Sequence, residues 1–149
     1  MTDHAWYKEY QEGIPKEIDT AAYDSLASML EEVFIKYKNR PSFHNMGTTM
    51  SYGDLDKKSK CFASFLQNEL GLKKGDRVAL MMPNILQYPV ALFGILRAGM
   101  VAVNVNPLYP KRELKHQLND SGATAIVIFA NSASILEKIL DQIVVSYVL

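Results

Sequence analysis

The second half of the sequence alternates short apolar segments with longer segments of helical periodicity. Four apolar segments are predicted as strands, over residues 77–82, 101–105, 125–129 and 144–149. Predicted helices lie between them, over residues 85–98 and 111–120. A third predicted helix begins at Ser134–Glu137, which have the spacing of a capping box, and carries Ile139 and Leu140. Short β–α–β connections imply parallel strands joined by right-handed crossovers. Strands that are apolar throughout indicate a sheet covered on both faces, so the fold class is α/β with a mostly parallel sheet flanked by helices.

The segment before this alternation predicts two helices and a small hairpin. Apolar residues recur at helical spacing after Ser25, and Asn39-Arg-Pro ends that helix. Residues 43–46 and 49–52 are predicted as two short strands around Gly47. Ser51 and Asp54 have the spacing of a capping box, which opens a second helix that stops near Gly71. Cys61 falls at the margin of the apolar face of that helix, where a structural thiol is expected.

Residues 1–23 contain aromatic side chains but no regular period. They are predicted as an N-terminal arm that rests its aromatic side chains on another surface, with a loosely ordered tail as the alternative. Residues 24–149 are then the first part of one larger α/β domain.

The stretch from residue 78 to residue 96 carries no charged side chain and is long enough to raise the question of a membrane span. Pro83, Asn84, Gln87 and Pro89 interrupt it. A strand, a sharp turn and a buried helix give the same hydropathy, and this interpretation is preferred.

Charge and cysteine content narrow the class of partner and the compartment. Sixteen Lys and Arg balance sixteen Asp and Glu, which gives no reason to expect a nucleic acid partner. The single Cys61 cannot form an internal disulfide, and the first residues are polar. Both features favour a reducing, cytoplasmic location without a secretion signal.

The candidate ligand-binding positions follow the predicted strands, because open α/β sheets bind ligands beyond the carboxyl ends of their strands. Pro83 and Asn84 follow the first of these strands, and Asn106 and Pro107 follow the second. The amides could orient a ligand, or Asn and Pro could simply form the turn. No P-loop, dinucleotide-binding or Gly-x-Ser-x-Gly motif is present. His4, His44 and His116 have no companions at metal spacing, so no catalytic or metal residue is assigned.

Two motifs carry a resemblance to a known family. Residues 50–55, Met-Ser-Tyr-Gly-Asp-Leu, and residues 96–107, Leu-Arg-Ala-Gly-Met-Val-Ala-Val-Asn-Val-Asn-Pro, resemble two motifs of the adenylate-forming superfamily. Residues 71–84, 87–94, 106–109, 112–114 and 116–123 are similar to bacterial long-chain fatty acid–CoA ligases in particular. Pro110 departs from the family pattern, which has Thr as the cap of the following helix.

The resemblance implies an enzyme that joins a long-chain fatty acid to CoA through an acyl-adenylate, using ATP and Mg²⁺. It also implies that the phosphate-binding loop, the ribose-binding acid and the catalytic Lys lie downstream of Leu149. We therefore expect this segment alone to be inactive and to bind none of these cofactors. Loose association with the inner membrane face and a homodimer through residues 1–23 are further expectations. A non-catalytic α/β binding or interaction module is the alternative function.

Overall fold

A computed structural model describes residues 4–149, and residues 1–3 of the arm lie outside the described part. The helices are α1 (Leu26–Lys36), α2 (Tyr52–Ser64), α3 (Gln87–Arg97), α4 (Lys111–Ser121) and α5 (Ala133–Glu137). The strands are β1 (Pro41–Asn45), β2 (Thr48–Ser51), β3 (Arg77–Met81), β4 (Val101–Asn104), β5 (Ala125–Ile128) and β6 (Tyr147–Val148). A π-helical turn, Phe65–Glu69, extends α2, and short 3₁₀ turns occur at Ala5–Glu9, Ala130–Ser132 and Leu140–Gln142.

Strands β3 to β6 form one parallel sheet in the order β4-β3-β5-β6, which confirms the prediction from the apolar segments. The register pairs Leu80 with Asn104 on one side and with Val127 on the other. The central strand β3 is buried after Arg77, as expected for a strand with neighbours and helices around it.

Alternate residues of β3 face two different helical layers. Val78 and Leu80 pack in a core with residues of α2 and α3 such as Ala63 and Ile95. Ala79 and Met81 pack in a second core with residues of α4 and α5, among them Leu114, Leu118 and Leu136. Because side chains alternate along a strand, the sheet is covered on both faces, and its carboxyl edge is the natural position for a ligand.

A third core joins α1 to the hairpin and to the outer side of α3. Leu30, Phe34, Met50 and Leu55 are buried there against partly buried neighbours such as Phe93. In the hairpin, Met46 and Gly47 have φ values of 48° and 78°, the conformation of a two-residue turn with left-handed backbone. The predicted hairpin around Gly47 is therefore confirmed.

The capping box predicted at the start of α2 forms, and α1 begins with a second one that the sequence analysis did not predict. Ser25 and Ser28 exchange capping hydrogen bonds at the start of α1, and Ser51 and Asp54 do so at the start of α2. The hydrogen bonds from Ser51 lower the pKa of Asp54. Gly71 has a φ of 67°, the left-handed conformation that ends a helix. At α4 the N-cap is Pro110, which makes no side-chain capping bond, as its lack of a hydroxyl requires.

The structure differs from the sequence-based prediction most clearly at four places. Helix α3 begins at Gln87, two residues late, because the Pro83-Asn84 turn precedes it and Pro89 fits only the first turn. Ser134 lies inside helix α5 rather than before it, so the predicted capping box does not form. The helix ends at Glu137, and Leu140, predicted on it, lies beyond that end and is 47% exposed. The last strand spans only Tyr147–Val148, because the parallel register pairs Tyr147 with Ala125, the first residue of β5, and residues 144–146 precede that start. Cys61, expected to be a structural thiol, is exposed on α2 and belongs to none of the three cores.

Two further predictions concern the apolar run and the arm. The run from 78 to 96 is a strand, a turn and a partly buried helix, as preferred. Over residues 4–149, the helices lack either the length or the apolarity that a bilayer crossing requires. In the arm the aromatic rings pack on one another, with His4 stacked on Trp6 at 4.4 Å and Tyr7 edge-on to Tyr10 at 5.7 Å.

Candidate functional site

The carboxyl edge of the parallel sheet holds the four positions predicted as candidate ligand contacts. Pro83 and Asn84 follow the end of β3 after one intervening residue, and Asn106 and Pro107 likewise follow the end of β4, its neighbour in the sheet, after one intervening residue. Both asparagines are exposed, while both prolines are partly buried. The sheet thus brings the two turns to the same edge, as the parallel topology requires.

The first turn is tied to the β1–β2 hairpin. The amide of Asn45 donates a 3.1 Å hydrogen bond to the backbone oxygen of Asn84. Within the turn, the backbone N–H of Ile85 donates to the carbonyl of Pro83 at 2.8 Å. These contacts shape the backbone and leave the Asn84 side chain exposed.

The second turn is closed by its own asparagine. The side-chain oxygen of Asn106 accepts a 2.9 Å hydrogen bond from the N–H of Leu108, and its carbonyl accepts one from Tyr109 at 3.1 Å. This local Asx turn is a structural role that short amide side chains often take. It leaves Leu108 85% exposed at the surface. A ligand-binding role for the four strand-end positions stays a prediction.

A polar contact that the sequence did not indicate lies at the same edge. The hydroxyl of Tyr88 on α3 donates to the side-chain oxygen of Asn104 at 2.8 Å. From the other side of the sheet, the amide of Gln117 on α4 donates to the carbonyl of Asn104 at 2.9 Å. The end of β4 is therefore held from both helical layers. Tyr88 and Gln117 are far apart in the sequence, so no local pattern reveals this contact.

A cavity of about 620 Å³ lies between the hairpin, the start of α3 and the end of β5. Its apolar lining comes from methionine, aliphatic and aromatic side chains, and the single charged group in the lining is Lys58. None of the four predicted strand-end positions lines it. The cavity therefore adjoins the candidate edge of the sheet without including its asparagines.

The described residues provide no cluster that could hold a metal ion. Over residues 4–149, no three His, Cys, Asp or Glu side chains approach one another in the way a metal site requires. His44 lies on the hairpin with its Nδ1 2.7 Å from the hydroxyl of Thr49, and His116 is exposed on α4. The three histidines are thus not brought together.

Arg97 forms the most extensive charged network in the described residues and joins three helices. Its guanidinium, 6% exposed, contacts Glu31 of α1 and donates to Asp56 Oδ1 of α2 at 2.7 Å and to Ser59 Oγ at 2.8 Å. Burial raises the pKa of Asp56, but hydrogen bonds from Arg97 and Lys60 outweigh it, and the net pKa is lowered. The network positions helices and lies away from the sheet's carboxyl edge.

The fold described above is that of an open parallel α/β domain, whose candidate ligand edge is at the carboxyl ends of the strands. Comparison with known families refines this class, since the family model for AMP-binding enzymes matches residues 30–148. The chain belongs to the AMP-binding enzyme family. The adenylate-forming resemblance of the two sequence motifs is therefore confirmed.

Individual relatives are similar over almost the whole chain. The long-chain-fatty-acid–CoA ligase of Escherichia coli O6:H1 is 58% identical over 144 residues, which cover 97% of this chain and 26% of the relative. The long-chain-fatty-acid–CoA ligase of Haemophilus influenzae is 51% identical over 144 residues, which again cover 97% of this chain and 26% of the relative. A crystal structure of a long-chain-fatty-acid-CoA ligase from Archaeoglobus fulgidus superposes with a TM-score of 0.74 at 26% identity, covering 84% of this chain and 27% of that one. The chain thus spans about a quarter of the length of the relatives it matches.

Proposed function

We propose that this chain is the N-terminal portion of an ATP-dependent long-chain fatty acid–CoA ligase. The whole enzyme converts a fatty acid, ATP and CoA into acyl-CoA, AMP and pyrophosphate through an acyl-adenylate. The observation that carries the proposal is the 58% identity to the E. coli ligase over 97% of this chain. That alignment reaches into residues 1–23, upstream of the family match that begins at residue 30. An alignment that extends into an arm whose described residues, 4–23, join none of the three cores favours the ligase over a non-catalytic α/β module.

In the whole enzyme, this segment forms part of the N-terminal α/β domain and does not supply the catalytic residues. Adenylation requires donors that hold the triphosphate and Mg²⁺ in a fixed geometry. The sequence of this chain has no glycine-rich phosphate loop, and its strand-end turns carry the neutral amides Asn84 and Asn106. In the whole enzyme we assign ATP, Mg²⁺ and CoA to residues downstream of Leu149.

The sharpest test is a chimera in which residues 1–149 replace the matching N-terminal quarter of the E. coli ligase. We expect oleate-dependent pyrophosphate exchange with Mg-ATP, followed by thioester formation on addition of CoA. The matched control is the E. coli enzyme without its N-terminal quarter, which should show neither step. A chimera that folds but shows no exchange would contradict the proposal.

Residues 1–149 alone should show no exchange, since removal of even one preorganised donor costs about 10²–10³ in rate. The assay is pyrophosphate exchange with and without oleate on the purified segment. Exchange that depends on oleate would show that catalytic groups lie within this chain, against the assignment to downstream residues.

The location and assembly of the whole enzyme complete the proposal. Its substrate is a lipid, so we place it in the cytoplasm with loose association to the inner membrane face. The arm exposes Trp6 and Tyr10, which are 57% and 42% exposed and suit contact with a second copy. Deletion of residues 1–23 from the whole enzyme should halve its mass in light scattering, and an unchanged mass would exclude a dimer through the arm.

A further inference from the structure

The surface between α4 and α5 concentrates positive charge in a chain whose formal charge is zero. A cavity of about 210 Å³ lies there, lined by Lys111, Arg112, Lys115, Lys138, Ile139 and Gln142. These six residues define the basic groove. Four of them are cationic and none is a carboxylate, so every charge in the lining is positive, although the sequence neighbours Glu137 and Asp141 lie beside it and Gln142 donates to Asp141.

The cations of the basic groove have no ionic partners among the residues that the structure describes, 4–149. Across residues 4–149, every ion pair joins Lys60 or Arg97 to Glu31 or Asp56. Lys115 donates a 2.9 Å hydrogen bond to the neutral side chain of Gln142, which orients its ammonium group without cancelling its charge. Glu113 lies on α4 as well, but it lines a different concavity, with His116 and Asp120.

Two exposed leucines accompany the basic groove. Leu108 is 85% exposed in the turn that leads into α4, and the Asn106 side chain holds that turn in place. Leu140 is 47% exposed and lies between the groove residues Ile139 and Gln142 in the sequence. A soluble anion would gain nothing from these apolar side chains. A lipid surface would gain from both, because it offers anionic headgroups above an apolar interior.

We propose that the basic groove, with Leu108 and Leu140, is the surface through which this protein contacts anionic phospholipid membranes. The inference rests on the proposed function, in which a lipid-activating enzyme takes its substrate at a membrane. It goes further by assigning the contact to named residues. The lysines and arginine meet lipid phosphates, and the leucines enter the headgroup region.

Vesicle co-sedimentation of the whole enzyme tests the surface. The probes are vesicles of phosphatidylcholine alone and of phosphatidylcholine with phosphatidylglycerol. Each cation near an anionic bilayer contributes about a fivefold factor in affinity, so Lys111→Gln, Lys115→Gln and Lys138→Gln together should weaken binding to the anionic vesicles about 100-fold. The matched control, Lys57→Gln, Lys73→Gln and Lys74→Gln, removes three exposed lysines elsewhere and should leave binding within about twofold.

The leucine contribution is tested separately. Leu108→Ser should weaken binding to both vesicle types by about fivefold. This is less than full burial of a leucine side chain would give, because the side chain only enters the headgroup region. The control is Ile18→Ser, which removes an apolar side chain that is 87% exposed in the arm. Equal losses from the two changes would show that exposed apolar area in general, and not this surface, drives the association.

Three outcomes would overturn the proposal: unchanged binding of the triple variant, an equal loss in the lysine control, or release of the enzyme from vesicles by inorganic phosphate at constant ionic strength. The last would identify a soluble phosphate as the ligand. Should the triple variant unfold, the single changes Lys138→Gln and Lys138→Glu give the same test, with a larger loss expected for the charge reversal. Exchange activity without vesicles reports on the proposed function alone, so failure of one proposal is separable from failure of the other.

Discussion

Replacing Arg97 with Met should loosen α1 and α2 from α3. The side chain is 6% exposed and reaches Glu31 of α1 and Asp56 of α2, and its guanidinium lies 4.9 Å from the centre of the Phe34 ring. Methionine keeps an unbranched apolar stem that can still pack on Phe34 but removes every donor. The change therefore isolates the polar part of the contact.

The expected magnitude follows from the exposure of the partners. Breaking a fully buried ion pair costs about 3–5 kcal/mol, because the remaining charge is left without solvent. Glu31 and Asp56 have side chains that are 45% and 28% exposed, so both can regain water. The buried hydroxyl of Ser59 also loses the guanidinium. We therefore expect a loss of about 2–3 kcal/mol in the free energy of the opening that separates α1 and α2 from α3, below the fully buried value.

Native-state hydrogen exchange of the α2 amides in the whole protein measures that opening. The expected loss raises the opening equilibrium about 30- to 150-fold. The matched control is Lys60→Met, because Lys60 contacts the same two acids at 3.1 Å and 3.7 Å but is 56% exposed. An exposed pair is worth about 0–1 kcal/mol, so the control should change exchange by less than about fivefold. Equal effects of the two changes would refute the argument from burial.

Two further predictions concern the same helices. The pKa of Asp56 is held below its ordinary 3.8, so its contribution to stability is complete above that pH and is lost as the pH falls through the lowered pKa. Asp56→Asn should therefore flatten the dependence of the urea midpoint on pH below 3.8, and an unchanged slope would exclude Asp56 as its source. Gly94→Ala should destabilise by about 1–3 kcal/mol in urea unfolding, because a Cβ there would lie 2.8 Å from Phe62 and 3.0 Å from the Ser59 carbonyl. Stabilisation, as for an exposed helical glycine, would contradict this packing.

The sheet was predictable from the sequence, whereas its detailed ends were not. Segments such as residues 77–82 are apolar on both faces, which is typical of a strand whose sheet is covered by helices on both sides. The observed strand β3 is one residue shorter than predicted. The last predicted strand shortened to Tyr147–Val148, because pairing depends on a neighbour that hydropathy does not reveal. Local patterns thus indicate which segments are buried, while pairing determines how far each strand extends.

The Arg97 network shows what sequence reasoning could not reach. A basic residue in the last turn of α3 is ordinary for a helix C-terminus, where it complements the dipole. Its partners lie 66 and 41 positions away in the sequence, so only the folded structure brings them together. The basic groove could be predicted only in part. Lys111 and Lys115 form an i, i+4 pair that the sequence shows, but Lys138 comes from the end of α5, and only the fold brings it to them. At the candidate site, the predicted parallel topology identified Asn84 and Asn106 as strand-end residues. Tyr88 and Gln117 were missed because, like Glu31, they contact residues distant in the sequence.

The two edges of the parallel sheet lead to a final prediction, about residues 1–149 on their own. Over residues 4–149, β6 pairs only with β5 and β4 pairs only with β3, and Val148 and Val101 are 50% and 45% exposed.

Unpaired apolar edges are templates for pairing with other chains, so the isolated segment should associate as its concentration rises. Val148→Lys places a charge on the β6 edge and should suppress that association in light scattering. Ile35→Lys, at a side chain 79% exposed on α1, removes similar apolar surface away from any strand and should leave association nearly unchanged. If Ile35→Lys suppressed association as strongly as Val148→Lys, general surface apolarity and not the sheet edge would be its cause.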